Sequence, residues 1–301
     1  MITDYFLSIA IMICMYSILA VSLNMILGFT GLLNLGHAAF FALGAYTSAL
    51  LSLAGFSFWI SMISGGCVAA LFGLVIGGSS LRLRGDYLAI ATLGFGEIVR
   101  ILLKNGGDLT RGALGLVGIP RPSFFGIVIK TQLQYFVLYL IIAVLCIFLL
   151  WCIAQSPFGR VLRGIREDEL AVSSLGKNVF QYKVIAVSLG ACFAGIAGSL
   201  FAHYITYIEP NSFGFMESII IVCMVVLGGL GSIAGSVLGA VLLIIFPELF
   251  KMVVQEWLPV SIEMQAGIKF LLYGVILVVL MLYKREGLLG EKRRGNHDLA
   301  S

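Results

Sequence analysis

The sequence predicts an all-α fold, a polytopic bundle of membrane-spanning helices. Of its 301 residues 60% are hydrophobic and 11% are charged, whereas a soluble domain has about 25% charged residues. Residues 5–81 contain no Asp, Glu, Lys or Arg. A soluble fold of this length could not cover so much apolar surface. Because about 20 apolar residues cross the hydrocarbon core, this segment has room for three spans.

The N-terminal segment is expected to remain as the first span rather than to be a cleaved signal. Asp4 has the wrong charge for a secretion signal, and the apolar run from Tyr5 to Leu27 is too long for one. Further charge-free windows lie at 131–159, 184–208 and 218–247. Small residues recur at every fourth position within these regions, which predicts close helix packing. Two such runs are Gly65, Ala69, Gly73 and Gly77, and Gly190, Ala194 and Gly198.

The orientation follows from three basic segments, since cytoplasmic loops are enriched in Lys and Arg. These segments are Arg82 with Arg84, the loop 156–183, and the tail from Lys284. Placing all three inside predicts an outside N-terminus and a cytoplasmic C-terminus. Between inside segments the chain must cross an even number of times.

Spans are therefore expected near 86–103, 133–155, 183–203 and 266–283, with 213–250 crossing twice or dipping and returning. The glycines of 228–232 are the natural turn within that last segment. The prediction is about nine spans, within a range of eight to ten.

The chain is predicted to form one membrane domain over 1–301. It divides into N-terminal spans (1–155), a cytoplasmic loop (156–182), C-terminal spans (183–283) and a basic tail (284–301).

Motifs for catalysis are missing from the sequence. The nearest approach to a GxxxxGK[ST] phosphate loop is Gly176-Lys177, which has Ala171 in place of the first Gly and Asn178 after the Lys. There is no HExxH, no GxSxG and no CxxC, and the three histidines are scattered. We expect no enzyme activity, no metal, no cofactor and no nucleic-acid partner.

Polar groups inside spans are costly in hydrocarbon and commonly line a cavity or pair with each other. Glu97 and Arg100 have the i, i+3 spacing of a salt bridge, about 16 Å along a helix from Asp86. The same pair could instead fix a helix end at the interface, because Arg100 can reach outward. Other candidates for a water-filled path, each of which could equally bridge two helices, are Asn24, Asn34, His37, Tyr46, Thr92 and Glu217.

The hydrophilic loop 156–178 has helical character between Gly159 and Leu175, and Gly176 is placed to end that helix. It mixes apolar residues with charges. A solvated connector would need fewer apolar residues, whereas docking on another protein would use them.

Four ordered segments of this sequence resemble the LivM-type permeases of branched-chain amino-acid ABC importers. They begin at Gly28 (GFTGLLNLGHAAFFALGAY), Arg84 (RGDYLAIATLGFGEIVRILL), Ser156 (SPFGRVLRGIREDELAVSSLG) and Gly228 (GGLGSIAGSVLGA). The resemblance extends over nearly the whole chain, from the first segment to the last and beyond them. The resemblance implies a multi-pass protein of the bacterial inner membrane that carries amino acids.

The same resemblance implies a complex with a LivH-type permease subunit, two cytoplasmic ATP-binding subunits and a periplasmic or lipid-anchored binding protein. It also implies that the loop docks on the ATPase through a coupling helix. The general Glu-Ala-Ala pattern of such helices is replaced by Leu170, Ala171 and Val172. The residues assigned to coupling by this analogy are Arg160, Arg163, Arg166, Glu167, Asp168, Ala171 and Gly176.

Rival functions remain open from sequence. An ion-gradient-driven secondary transporter would need coupling-ion ligands in its spans, and a membrane scaffold would pass no solute. Within the importer class, related permeases carry urea, short amides or polar amino acids.

Overall fold

The chain forms a helical bundle in the computed structural model, which describes residues 2–80, 85–124, 127–257, 274 and 287–289. The long helices are α1 (Ile2–Thr30), α2 (His37–Leu53), α3 (Phe58–Ser80), α4 (Asp86–Lys104), α6 (Gln132–Gln155), α9 (Val179–Ile205), α10 (Phe215–Gly228) and α11 (Ile233–Trp257). The short helices are α5 (Gly107–Thr110), α7 (Pro157–Glu167), α8 (Glu169–Ser174), and 3-10 turns at Gly112–Leu114 and Pro210–Phe213.

The all-α prediction is confirmed, and the described connections between the helices contain four two-residue strands. The strands are β1 (Leu116–Val117), β2 (Ser123–Phe124), β3 (Ile127–Val128) and β4 (Tyr207–Ile208). β1 pairs antiparallel with β4, and β2 pairs antiparallel with β3. The first pairing joins the connection after α4 to the end of α9.

Among the described residues, four helices are long and apolar enough to cross a membrane: α1, α3, α6 and α9. Shorter apolar helices are α2, α10 and the Ile233–Glu248 part of α11. Helix α4 has 19 residues but carries Asp86, Glu97, Arg100 and Lys104. The bundle is therefore polytopic, with spans of unequal length.

The helix positions agree with the sequence prediction. The expected span Tyr5–Leu27 lies within α1, and 133–155 and 183–203 lie within α6 and α9. Segment 213–250 contains α10 and α11, which are separated at the predicted glycines of 228–232. The predicted span 266–283 and most of the tail 284–301 lie outside the described residues.

Small residues bring α2, α3 and α9 into close contact, and two of them, Gly65 and Gly198, belong to the runs whose spacing predicted close packing. A Cβ on Gly44 would lie 2.1 Å from the carbonyl oxygen of Gly195, and one on Gly198 would lie 2.0 Å from that of Phe41. A Cβ on Gly65 would approach the Gly44 carbonyl oxygen to 2.8 Å. We call Gly44, Gly65, Gly195 and Gly198 the glycine seam.

The end of α1, the segment 156–178 and the α10–α11 turn lie at one end of the bundle, here called the loop end. Arg166 Nη1 donates to the Gly28 carbonyl oxygen at 2.6 Å. Asn24 on α1 holds the turn through Gly231 N and Ser232 O, both at 2.9 Å. At the opposite end, the Tyr5 hydroxyl donates to Glu248.

The beginning of α4 and the described part of the tail also reach the loop end. Asp86 and Arg166 line one cavity there. Leu288 N and Leu289 N donate to the last carbonyl groups of α10 at 3.0 and 2.9 Å. The described residues that adjoin the other two basic segments, Asp86 and Leu288, thus lie at the same end of the bundle as the loop 156–183.

Candidate coupling and translocation sites

The segment 157–176 is a pair of helices, not the single helix predicted between Gly159 and Leu175. Ser156 Oγ accepts from Gly159 N at 3.4 Å and Pro157 takes the first position of α7. At Asp168 the backbone becomes extended, and the carboxylate accepts from Leu170 N (2.8 Å) and Ala171 N (3.1 Å). The helix breaks because this side chain caps a new N-terminus.

The predicted end of this segment is confirmed at Gly176. Its φ of +76° is in the left-handed region, and its N–H donates to Ser173 O at 2.9 Å. Glycine adopts this conformation without Cβ strain. Asn178 Oδ1 then accepts from Gln181 N at 3.2 Å and caps α9. We call 157–176 the coupling segment.

One face of the coupling segment is attached to the bundle. Leu162 and Ile165 are fully buried on α7, and Val172 is buried on α8. The Glu169 carboxylate forms an ion pair with Lys183, whose side chain is 8% exposed. Together with the Arg166 contact to α1, these interactions join the segment to both α1 and α9.

The opposite face of the coupling segment is exposed. Leu170 is 75% exposed and Leu175 is 80% exposed, a pattern that marks contact surfaces when charges flank it. Arg163 and Arg166, in contrast, point toward α1: the Arg163 guanidinium carbon lies 5.2 Å from the centre of the Phe29 ring. The other residues assigned to coupling are exposed, namely Arg160, Glu167, Asp168, Ala171 and Gly176.

A cavity of about 630 Å³ separates the coupling segment from the start of α4. Its charged lining includes Asp86, Arg166, Glu167 and Lys183.

The chain between α1 and α2 turns back into the bundle at residues 31–36. Leu35 N donates to Thr92 Oγ1 at 3.0 Å, and Asn34 Oδ1 accepts from Gly36 N at 2.9 Å. A Cβ on Gly36 would lie 2.1 Å from the Thr92 carbonyl oxygen. This non-helical backbone therefore packs directly against the middle of α4.

Helix α2 consequently begins inside the bundle. Its first residue, His37, is fully buried, with Nε2 2.9 Å from Ser22 Oγ. Ser22 precedes the end of α1 by eight residues, which is about 12 Å of helix. Ala38 N donates to Ser218 Oγ on α10 at 3.0 Å. Broken helices with termini at membrane depth commonly form substrate sites in transporters.

Three of the predicted path residues, Asn34, His37 and Thr92, meet at this break. His37 Nδ1 is buried without a hydrogen-bond partner among the described residues. Ser22 and Ser218 belong to the same cluster and were missed from sequence. Serine is common in apolar helices, so nothing in the pattern distinguished these two from other serines.

The remaining path candidates lie elsewhere. Asn24 clamps the α10–α11 turn, which gives it a structural role. The Tyr46 hydroxyl is buried near the Phe213 ring, with no hydrogen-bond partner in the described part of the chain. Glu217 accepts from the Tyr16 hydroxyl at 2.5 Å and so bridges α10 to α1.

Glu97 and Arg100 form the predicted salt bridge, with Arg100 Nη2 2.8 Å from Glu97 Oε2. Their side chains are 34% and 29% exposed, and Arg100 also donates to Asn211 Oδ1 at 3.3 Å. The pair thus joins α4 to the 3-10 turn after α9. Its partial exposure is compatible with both the path and the interfacial interpretation.

Comparison with known proteins identifies the class of this bundle. The family model described as the permease component of a branched-chain amino acid transport system matches residues 5–281. The chain belongs to this family. The LivM-type resemblance of its motifs is thereby confirmed.

Two LivM proteins and one LivH protein illustrate the relationship. The high-affinity branched-chain amino acid permease proteins LivM of Salmonella typhimurium and Escherichia coli are each 38% identical, over 93% of this chain and 69% of the relative. The LivH protein of Salmonella typhimurium is 27% identical, over 76% of this chain and 79% of the relative. No solved structure matches the chain.

The protein is accordingly a permease component of a branched-chain amino-acid ABC transport system and a multi-pass membrane protein. It is a transport subunit and not a catalyst. Both conclusions were predicted from the motifs present and from those missing.

Proposed function

We propose that this permease is the LivM-type half of an ATP-driven, binding-protein-dependent importer of branched-chain amino acids. The coupling segment carries the proposal, because it is joined to α1 and α9 by Arg166 and Lys183 while Leu170 and Leu175 are exposed. A partner that moves this segment would move both helices. The likeness to LivH as well as LivM supports a heterodimer of two related permeases.

The proposed topology has nine crossings, an outside N-terminus and a cytoplasmic loop end. It is supported by the basic loop 156–183 and by the described residues that adjoin the other two basic segments, Asp86 and Leu288, which lie at one end of the bundle. Residues 266–283 would supply the ninth crossing, and the divisions 1–155, 156–182, 183–283 and 284–301 follow from it. The proposed location is the bacterial inner membrane.

For the mechanism we infer alternating access, with ATP-driven closure of two cytoplasmic ATPases acting on the coupling segment. A ligand shifts such an equilibrium only through different affinities for the two states. The break between α1 and α2 is the proposed path segment, since Asn34, His37 and Thr92 meet there. The N-terminal dipole of α2 would favour a substrate carboxylate.

Reconstitution tests the function directly. The permease is purified with its co-purifying subunits, placed in liposomes and supplied with the binding protein. Leucine-loaded binding protein is expected to stimulate ATP hydrolysis and leucine accumulation, with no stimulation by urea or short amides. Uptake by this subunit alone, driven by an ion gradient without ATP, would instead support a secondary transporter.

Cysteine labelling tests the topology. Ser173 is exposed on α8, so Ser173→Cys in a background without the native cysteines is expected to react with an impermeant maleimide only from the cytoplasmic side. A cysteine at Leu114, in the connection after α4, is the matched site for the other side. Labelling of Ser173→Cys from outside would show that the proposed orientation is inverted. The coupling segment could then not contact a cytoplasmic ATPase.

Substitution of Glu97 tests the path. Glu97→Ala removes the partner of Arg100 and is expected to slow transport several-fold, with Glu97→Gln intermediate because it keeps a hydrogen-bond acceptor. The readout is the rate of leucine uptake at matched amounts of complex. Unchanged kinetics in both variants would remove this pair from the path and leave its interfacial role.

A further inference from the structure

A second cavity lies at the loop end, between the end of α1, the second half of α6 and the start of α11. Its volume is about 770 Å³, within the range of ligand pockets. Val144, Phe148, Trp151, Val237 and Leu238 contribute to its apolar walls. Since it extends from Gln155 back to Val144, it follows α6 for about 16 Å. We call it the α6–α11 groove.

The groove opens beside a helix face that is entirely apolar. Val144, Phe148 and Trp151 are 58%, 54% and 47% exposed on α6. A tryptophan near the end of a spanning helix is typical of headgroup depth. The groove therefore has an acyl-chain environment along its length and an interfacial position at its end.

Arg163 on α7 closes the polar end of the groove. Its guanidinium carbon lies 5.2 Å from the centre of the Phe29 ring, a contact that uses the flat face of the group. The Nε atom is buried without a hydrogen-bond partner among the described residues. An unmatched buried donor on a cation is costly, and none of the described residues that line the groove is acidic.

We propose that the α6–α11 groove binds one anionic phospholipid, with an acyl chain along α6 and the phosphate on Arg163. The guanidinium edge matches phosphate oxygens, and basic pockets between membrane helices on the cytoplasmic side suit anionic headgroups. A helix of a protein partner would supply apolar contacts but would leave the Arg163 Nε unmatched. Charge complementarity therefore selects the lipid.

Occupancy would fix Arg163 and hence the first half of the coupling segment against α1. This consequence rests on the proposed function, whereas lipid binding does not. The test therefore measures bound lipid, so that failure of the importer hypothesis and failure of this one remain distinguishable.

The experiment is native mass spectrometry of the purified complex in mild detergent, with phosphatidylglycerol or phosphatidylcholine of identical chains added. The wild-type complex is expected to retain phosphatidylglycerol at least fivefold more than phosphatidylcholine. Arg163→Gln is expected to lose that preference. Arg160→Gln, which removes an exposed arginine one turn earlier on α7, is expected to keep it.

A second variant keeps the charge and removes the space. Val237→Trp fills the groove from α11 and is expected to abolish retention of both lipids while Arg163 remains. Equal retention in wild type, Arg163→Gln and Val237→Trp would overturn the proposal, as would equal loss in Arg160→Gln and Arg163→Gln. Disulfide cross-linking of a cysteine at Leu238 to the other permease subunit would also overturn it, because a protein would then occupy the groove.

Discussion

The glycine seam and the coupling segment differ in how the same chain uses small and apolar residues. In the seam the backbones of α2, α3 and α9 approach so closely that there is no room for a Cβ, as at Gly44 and Gly198. In the coupling segment Leu170 and Leu175 are exposed, and Gly164 faces only the tip of Val172. The seam residues are therefore packed against other helices, whereas the coupling segment has apolar side chains that remain largely exposed within the described part of the chain.

This difference predicts two kinds of mutational effect. Membrane helices associate through close packing, so a clash in the seam should lower the stability of the bundle itself. A change on the exposed face of the coupling segment should leave the bundle intact and alter only its interaction with a partner. The comparison would be contradicted by a seam variant that leaves the bundle stable, or by a variant on the exposed face that destabilises it.

The largest effect is expected for Gly44→Ala. The new Cβ would lie 2.1 Å from the Gly195 carbonyl oxygen, which belongs to backbone and cannot move aside. Overpacking of this kind costs about 3 kcal/mol. The thermal midpoint of the purified protein in detergent and the yield of monodisperse protein should both fall sharply.

Gly78→Ala on α3 is the matched control, since a Cβ there meets nothing within 4 Å. Alanine is about 1 kcal/mol better than glycine inside a helix, so this variant should be neutral or slightly more stable. Equal midpoints for Gly44→Ala and Gly78→Ala would show that the seam is looser than the backbone distances imply.

The seam, the spans and the end of the coupling segment could be predicted from sequence because each depends on local spacing. Small residues four apart predicted close helix packing, and the glycines of 228–232 predicted the α10–α11 turn. Gly176 was recognised as a helix end by its residue type. The salt bridge of Glu97 and Arg100 also followed from spacing on one helix.

Features that depend on long-range contacts could not be predicted in the same way. The return of residues 31–36 into the bundle requires Thr92, about 57 positions later, as the partner of Leu35 N. Asn24, a candidate for either a water-filled path or a bridge between helices, hydrogen-bonds to the α10–α11 turn, more than 200 residues away in sequence. At Asp168 the side chain caps a new helix instead of allowing one continuous helix. The spacing of apolar residues does not show which of these two arrangements is more stable.

The second-largest effect, a loss of transport, is expected for Gly164→Pro in the middle of α7. Proline removes one backbone donor and clashes with the preceding turn, at a cost of about 3 kcal/mol to that helix. Arg163 and Arg166 would lose their common orientation toward α1. Leucine uptake by the reconstituted complex should be lost, while membrane insertion and the yield of protein remain normal.

Gly164→Ala is the control for this variant. Its Cβ would lie 3.0 Å from Val172 Cγ2, a side-chain tip that can shift, so most uptake should remain. Normal transport by Gly164→Pro would mean that an intact α7 is not needed to transmit movement. Loss of the protein from the membrane would mean that α7 belongs with the seam as part of the stable bundle.

The smallest effect on stability, and the sharpest test of the comparison, is expected for Leu175→Asp. Leu175 is 80% exposed, so the thermal midpoint should change little, within about 0.5 kcal/mol of stability. If this leucine enters a groove on the ATPase, loss of an apolar anchor worth about 1–2 kcal/mol should weaken co-purification of the ATPase about 5- to 30-fold.

Leu114→Asp is the control for this variant. Leu114 is also 80% exposed but follows the far end of α4, so its substitution should leave co-purification unchanged. Equal ATPase recovery from both variants would show that the exposed leucines of the coupling segment do not contact the ATPase. The contact would then have to be made by Arg160, Glu167 and Asp168.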